Sequence, residues 1–294
     1  IKVYNNWKKL ILNKNIDAIA IASPPFTHKK IMKFAIKHNK HIFCEKPFTC
    51  SVKESNEICK LIKKKKNISN MVNYEFAEID AFRFFKYQIL DKEIEIRRIN
   101  LKWFLNFRNR TNVWKENYNK GGSIIFNNVC HVIYYLEFFF GKITAIKTNI
   151  SFNKKIINCL KSVIFFNSDL SAKINIRIGS KNSREKGIHQ LKVESTKNNY
   201  ILKSNVDNYF DQFEIIKIKK LMTKHLIKKE FIFKNKKNNK HFQIEPTYKN
   251  SKKFSSWILT GKSQKPNFFD AKRIHLIIEK MLHSSKEKKK IYIN

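Results

Sequence analysis

Two short segments of this chain hold residue types that could move a proton and hold a ligand. The first reads Ala22-Ser23-Pro24-Pro25-Phe26-Thr27-His28 and is followed by Lys40-His41-Ile42-Phe43-Cys44-Glu45-Lys46-Pro47. Both lie where a short apolar run gives way to a polar loop. Ligands of open α/β sheets bind outside the carboxyl ends of the strands. A Glu-Lys-Pro placed there puts the Lys46 ammonium at the mouth of the sheet. It could hydrogen-bond a substrate hydroxyl there and stabilise charge as a hydride leaves its carbon. The second segment runs Gly121-Gly122-Ser123-Ile124-Ile125-Phe126-Asn127-Asn128-Val129-Cys130-His131. Asn127 and His131 stand four residues apart, so a helix presents them on one face. A histidine titrates near neutrality and can act as a general base, whereas an asparagine only donates and accepts hydrogen bonds.

The elements that must position these residues follow from the pattern. Residues 1 to 74 alternate between helix and strand. Trp7 to Leu12 reads as the end of a helix, and Ala18 to Ala22 as a strand buried on both faces. Thr27 is expected to cap the next helix, which carries Ile31, Phe34, Ala35 and His38. His41 to Cys44 is a second strand and Met71 to Tyr74 a third. Between them, Ser51 with Glu54 three residues on forms a capping-box pattern. Strand, helix, strand, helix, strand at these lengths predicts a doubly wound parallel sheet.

The texture changes after Tyr74. A helix is expected over 78–90, a long strand over 93–104 and a polar loop over 108–120. An apolar helix should then run from Ser123 to Phe140 and close at Gly141 in a C′-like position. The runs 143–152, 160–167, 171–178, 189–194 and 199–203 alternate as strands with no helices between them, which predicts an antiparallel sheet. Residues 207 to 240 are lysine-rich and ambiguous, and 271–283 reads as a last helix. The expected fold class is therefore α/β. An incomplete doubly wound parallel sheet over 1–74 precedes an α+β domain over 75–294 with a mainly antiparallel open sheet. The last helix is expected to pack back on the first domain.

Composition bounds the function. With 42% hydrophobic residues in 294, a wholly disordered basic tail is excluded. The most apolar stretch, Val129 to Phe140, is broken by His131 and Glu137, so no membrane-spanning helix is expected. The net charge of +38 points towards nucleic acid or acidic surfaces. Yet 53 of the 61 basic residues are lysine and only eight are arginine. A selected base-reading face would favour arginine, so compositional drift is preferred over a polyanion site, and no nucleic-acid partner is expected. Five cysteines, with no C-x-x-C spacing, argue against a disulfide framework or a metal site and suit a reducing cytoplasm.

The motifs together resemble the Gfo/Idh/MocA family of NAD(P)-dependent sugar and polyol oxidoreductases. The likeness runs from Asp17 to Pro25, through Glu45-Lys46-Pro47, Asn73-Tyr74-Glu75-Phe76 and the Gly121-to-His131 helix, to Phe254–Lys262 before the last helix. Each motif is weak alone; their order and spacing are fairly specific. The resemblance implies a Rossmann domain, NAD or NADP as cofactor, a sugar, polyol or nucleotide-sugar substrate, and homo-oligomers formed through the C-terminal sheet. It implies that Lys46 contacts the reacting hydroxyl and that His131 is the catalytic histidine. Asn127 stands where many members carry an aspartate. Ser23, Pro24, Pro25 and His28 match the loop beside the cofactor's ribose and nicotinamide, and Glu45 and Asn73 line the same cleft.

Two departures stand out. All six glycines lie at or beyond Gly121, so the Gly-x-Gly-x-x-Gly turn that holds a pyrophosphate is not among them. The chain starts at Ile1, and the expectation is that it is a truncated record whose upstream residues supply that turn. Tyr134 takes a place where many members have another aspartate. Two other readings stay open: a degenerate, non-catalytic relative that keeps its sheet for association, and a polyanion-binding protein. The bland alternatives also stand. Lys46 could be one solvated lysine among many, His131 a satisfied core histidine, and Trp114 plain core.

Overall fold

The computed structural model describes residues 2–90, 94–105, 113–115, 117–153, 156–179, 187–205, 213–220, 227–234 and 243–293. The chain divides into two compact units. The first joins residues 1–74, 112–131 and 247–278; the second joins 75–111, 132–246 and 279–294. Two stretches distant in sequence from residues 1–74 thus belong to the same unit as they do. The last helix contributes its residues up to Ile278 to the first unit and the rest to the second.

In the first unit, α1 (Trp7–Leu12) leads to β1 (Ala18–Ile21), α2 (Pro25–Lys37), β2 (His41–Cys44), α3 (Val52–Lys63) and β3 (Asn70–Val72). The three strands form one parallel sheet in the order β1-β2-β3, with Ala18 beside His41 and Ile42 beside Asn70. Ile19, Ile21, Ile42 and Cys44 are buried, but Ala20 is exposed and Ala18, His41 and Phe43 are only half-buried, so β1 is covered on one face rather than on both as expected; of the three strands, β3 alone is buried throughout. Two boundaries differ from expectation. Helix α2 begins at Pro25 with Pro24 at its cap, not at Thr27. Proline is pre-set for the first helical position, since its missing N–H would be unsatisfied there anyway. Thr27 instead turns its hydroxyl to Pro24 O at 2.7 Å. The third strand ends at Val72, so Asn73 and Tyr74 lie in the loop beyond it. The capping box forms in part: Ser51 Oγ accepts from Glu54 N, while the Glu54 carboxylate accepts from Cys50 N.

The second unit holds α4 (Asp80–Ile89), α5 (Cys130–Phe140, shared at its start with the first unit) and a nine-stranded sheet. Its strands are β4 (Ile96–Leu105), β5 (Ile143–Asn153), β6 (Ile156–Phe166), β7 (Ser171–Ile178), β8 (Ile188–Ser195), β9 (Asn198–Asn205), β10 (Phe213–Lys220), β11 (Ile227–Lys234) and β12 (Ile291–Tyr292). The order is β11-β10-β9-β8-β4-β7-β6-β5-β12. All pairs are antiparallel except β4 with β7. The expected combination of a small parallel sheet and a large, mainly antiparallel one is present. Strands β10 and β11 come from the lysine-rich stretch that the pattern left ambiguous. The expected features at Glu93 and in much of the 108–120 loop fall outside the described residues.

Trp103, Phe82, Phe85, Tyr135 and Leu191 fill the second unit's core. His189 lies among them, stacked on Trp103 at 4.1 Å with an interplanar angle of 5°. Gly141 closes α5 with φ +88°, as expected of a helix C′ position. Among the described residues no helix is long and apolar enough to cross a membrane.

Helices α6 (Ile244–Thr260) and α7 (Phe268–Glu287) complete the chain. Phe268 N donates to the Asn70 side chain at 3.0 Å, which ties the start of α7 to β3.

Candidate active site

The carboxyl ends of β1, β2 and β3 lie side by side, because the strands are parallel. Their loops bring Ser23, Pro24 and Pro25, then Glu45, Lys46 and Pro47, then Asn73 to one edge of the sheet. Main-chain bonds continue the sheet into these loops: Glu45 N donates to Ile21 O at 2.8 Å and Asn73 N to Cys44 O at 2.9 Å. The Glu45 carboxylate accepts from Asn73 Nδ2 at 2.8 Å and from Lys46 N at 3.3 Å. Asn73 Nδ2 also reaches Thr247 Oγ1 at 3.0 Å, and its Oδ1 accepts from Asn250 Nδ2 at 3.0 Å. Thr247 and Asn250 belong to α6, and the sequence pattern gave no reason to single them out.

His28 lies wholly buried behind these loops. Its Nε2 stands 2.7 Å from Ser23 O, and its Nδ1 stands 3.1 Å from Pro47 O and 3.4 Å from Cys44 Sγ. Burial lowers its pKa, opposed by the surrounding carbonyls and by Glu45. Nε2 faces Ser23 O while Nδ1 faces Pro47 O, so the ring bridges the first loop and the second, and the Cys44 thiol lies against Nδ1. His28 therefore clamps the first loop to the second. The Cys44 thiol is pushed well up by burial, so it is a poor nucleophile. His275 of α7 acts in the same way: burial lowers its pKa to about 3, and its Nε2 accepts from Thr49 N at 3.5 Å.

The Gly121-to-His131 segment belongs to the same unit. Gly121 has φ +76°, and a Cβ there would stand 2.6 Å from the Pro25 side chain. A Cβ on Gly122 would stand 2.2 Å from Trp114 O. Both positions need glycine, for conformation or for close approach. Ser123 has φ +86°, a region that costs a non-glycine residue energy. Its Oγ is buried and has no hydrogen-bond partner among the described residues.

The helix does not begin as an α-helix. Ile125–Val129 form a π-turn, in which Cys130 N donates to Ile125 O, and the α-helix follows from Cys130. Such turns and strained residues recur at functional sites. Lys46 Nζ donates to Asn127 O at 3.1 Å, so the Glu-Lys-Pro loop is bonded directly to this turn. The Asn127 side chain points elsewhere, its Nδ2 donating to Lys115 O at 3.2 Å. His131 lies one turn further on, 2% exposed, with its ring edge-on to Tyr74 at 6.0 Å. Trp114 is half-buried rather than core.

The site residues singled out in the sequence thus fall into three linked groups. Ser23, Pro24, Pro25 and His28 form one, Glu45 and Asn73 a second, and Lys46, Asn127 and His131 a third. Ser123, Thr247, Asn250 and His275 are additions that only the fold supplies. Ser123 alone had a signal, its place after Gly-Gly at a helix start.

Known proteins bear on this arrangement. Residues 1–74 match the family model described as "Oxidoreductase family, NAD-binding Rossmann fold". An uncharacterized oxidoreductase of Synechocystis sp. is 31% identical over 153 residues, covering 50% of this chain and 41% of that protein. The levoglucosan dehydrogenase of Pseudarthrobacter phenanthrenivorans is 26% identical over 152 residues, covering 50% of this chain and 39% of that protein. These matches span less than half the length of the relatives. A solved levoglucosan dehydrogenase in complex with NADH and L-sorbose superposes on 99% of this chain and 83% of its own, with TM-score 0.82 and 16% identity. At that identity the likeness is one of fold.

Proposed function

We propose, from the premise that this chain belongs to the Gfo/Idh/MocA family of oxidoreductases, that it transfers a hydride between a nicotinamide cofactor and a hydroxyl-bearing carbon of a sugar or polyol. The observation that carries the reading is the 3.1 Å bond from Lys46 Nζ to Asn127 O. It joins the loop at the sheet mouth to the helix that holds His131. Support for a sugar comes from the levoglucosan dehydrogenases, one similar in sequence and one in fold.

The residues present suit the nicotinamide and ribose end of NAD or NADP. Ser23, Pro24 and Pro25 edge the cleft, Asn73 offers an amide beside Glu45, and the buried Ser123 Oγ is a hydroxyl with no hydrogen-bond partner among the described residues. None of the six glycines forms a Gly-x-Gly-x-x-Gly turn. When bound, the cofactor supplies the hydride acceptor or donor.

The chain's own groups do the rest. Lys46 donates a hydrogen bond to the substrate oxygen and stabilises negative charge as it develops there. His131 accepts the hydroxyl proton in oxidation and returns it in reduction. Glu45, held by Asn73, fixes the loop that carries Lys46. The Gly121-Gly122 approach sets where the helix starts.

Following nicotinamide absorbance over a panel of sugars and polyols tests the reading. Lys46→Ala and His131→Ala should each lower turnover by about 10²-fold or more. Near-unchanged turnover in both variants would refute the assignment. We also propose that copies associate through the large sheet. Light scattering that finds only monomer at working concentration would count against that.

A further inference from the structure

Three polar side chains from distant parts of the first unit form one hydrogen-bonded line behind the Glu-Lys-Pro loop. Glu45 follows β2, Asn73 follows β3 and Asn250 stands in α6. Asn250 Nδ2 donates to Asn73 Oδ1 at 3.0 Å, and Asn73 Nδ2 donates to Glu45 Oε1 at 2.8 Å. Glu45 Oε2 accepts from Lys46 N at 3.3 Å, which ends the line on the main chain of Lys46. Thr247 lies one turn before Asn250 on the same helix face, and its Oγ1 stands 3.0 Å from Asn73 Nδ2.

The line has a direction. Both Glu45 oxygens receive N–H donors, so the group stands as a carboxylate, which only accepts. Asn73 must therefore turn its amide nitrogen to Glu45 and its oxygen away. That oxygen needs a donor, so Asn250 must present its own nitrogen. Asn250 is wholly buried, and its Oδ1 is left with no hydrogen-bond partner among the described residues. A buried polar atom without a partner is costly, and an apolar residue at this place would avoid the cost. What the asparagine supplies is a fixed orientation of the Asn73 amide.

We propose that Asn250, assisted by Thr247, is a positioning residue for Lys46. It acts from α6 through Asn73 and the Glu45 carboxylate. The proposal rests on the reading of Lys46 as the group that hydrogen-bonds the substrate oxygen. Glu45 holds the Lys46 main chain, while the Lys46 ammonium bonds Asn127 O at 3.1 Å. A shift of the first therefore moves the second. A misplacement of about 1 Å at a reacting centre can cost about 10²-fold in rate.

Reversing the line tests the proposal. Asn250→Asp sets an acceptor against Asn73 Oδ1. The Asn73 amide must then stay unpaired on that side or turn its oxygen onto the Glu45 carboxylate. Turnover should fall by about tenfold or more, with KM for the substrate changed far less. Adding Glu45→Gln lets the whole line run the other way. The new carboxylate accepts from Asn73 Nδ2, Asn73 Oδ1 accepts from the new amide at position 45, and that amide's oxygen still accepts from Lys46 N. The double variant should recover most of the turnover and urea stability lost in Asn250→Asp.

The rescue should vanish when Asn73→Ala cuts the line. Rescue that survives Asn73→Ala would mean plain repulsion between two carboxylates and would overturn the proposal. Parent-like turnover in Asn250→Asp, or no rescue by Glu45→Gln, would overturn it as well. If Asn250→Asp does not fold, the Asn250→Ala/Thr247→Val double variant carries the same kinetic expectation, and unchanged turnover there would sink the idea. One readout needs no turnover. In crystal structures the bond from Lys46 Nζ to Asn127 O should be broken in Asn250→Asp and remade on adding Glu45→Gln. A parent inactive on every sugar and polyol, with that bond switching as expected, would refute the oxidoreductase reading and leave the positioning standing. The bond intact in Asn250→Asp would refute the positioning.

Discussion

His28 and His189 are both buried, and burial lowers the pKa of both, to about 3 for His189. The chain uses them in opposite ways. His28 sits in the first turn of α2, the helix that follows β1, and touches main-chain carbonyls of two loops, Ser23 O on one side and Pro47 O on the other. His189 sits within β8, flat on Trp103, with Tyr135 Oη 2.9 Å from its Nε2. The first orders the loops that carry Lys46; the second fills a core. Burial and a lowered pKa do not mark a site. Position at the carboxyl end of a parallel strand does, because only there do several loops converge on one point.

That contrast can be broken by substitution. The largest expected effects separate activity from stability. Lys46→Ala should cost about 10²-fold or more in turnover while the unfolding midpoint moves little. His131→Ala should cost as much turnover, with a loss of stability as well because His131 is buried. His189→Ala should do the reverse of Lys46→Ala, lowering stability by roughly 3 kcal/mol in urea titrations while turnover of the folded protein persists. If His189→Ala abolished turnover in a folded protein, the division between core and site would fall.

His28→Ala should lie between these extremes. Losing a buried hydrogen-bonding clamp costs roughly 1–3 kcal/mol. The loosened loops should also raise KM for the cofactor more than they lower kcat. A stability loss with unchanged KM would make His28 merely structural.

A pH series sharpens the same comparison. His189 and His275 titrate near 3 when folded and near 6.5 when unfolded. The unfolded chain therefore binds protons that the folded chain does not, as pH falls from about 6.5 towards 3. Stability from these groups is fully present above pH 6.5 and declines through that window. Urea midpoints measured from about pH 8 to pH 4 should fall, and His189→Phe should flatten part of the slope. A flat parent profile would count against neutral buried rings.

The smallest expected effect concerns the helix that follows the Glu-Lys-Pro loop. Ser51→Ala removes the cap on Glu54 N and should cost about 1 kcal/mol without altering turnover.

Much of this was legible beforehand, and the pattern of success has a physical basis. The strand His41–Cys44 was readable because a short apolar run between polar loops is a local signal. The same holds for the alternation of Ser171–Ile178 and the helix stop at Gly141. The loop residues from Ser23 to Asn73 were readable together, since parallel strands must deliver their carboxyl-end loops to one edge. Thr27 misled because its capping chemistry competed with Pro25, whose fixed φ starts the helix two residues earlier. The strands within 207–240 were hidden because lysines on their exposed faces diluted the alternation.

The sequence by itself determined the order of elements up to about residue 203 and the last helix, the small parallel and large antiparallel sheets, and the residues able to carry charge or a proton. Those depend on spacing along the chain. Only the tertiary structure decided that Lys46 Nζ bonds Asn127 O, 81 residues away, and that Asn250 holds Asn73, 177 residues away. It alone decided that the helix opens on a π-turn after a strained Ser123. Contacts at such separations follow from how strands pair and helices pack, and no local pattern encodes that geometry.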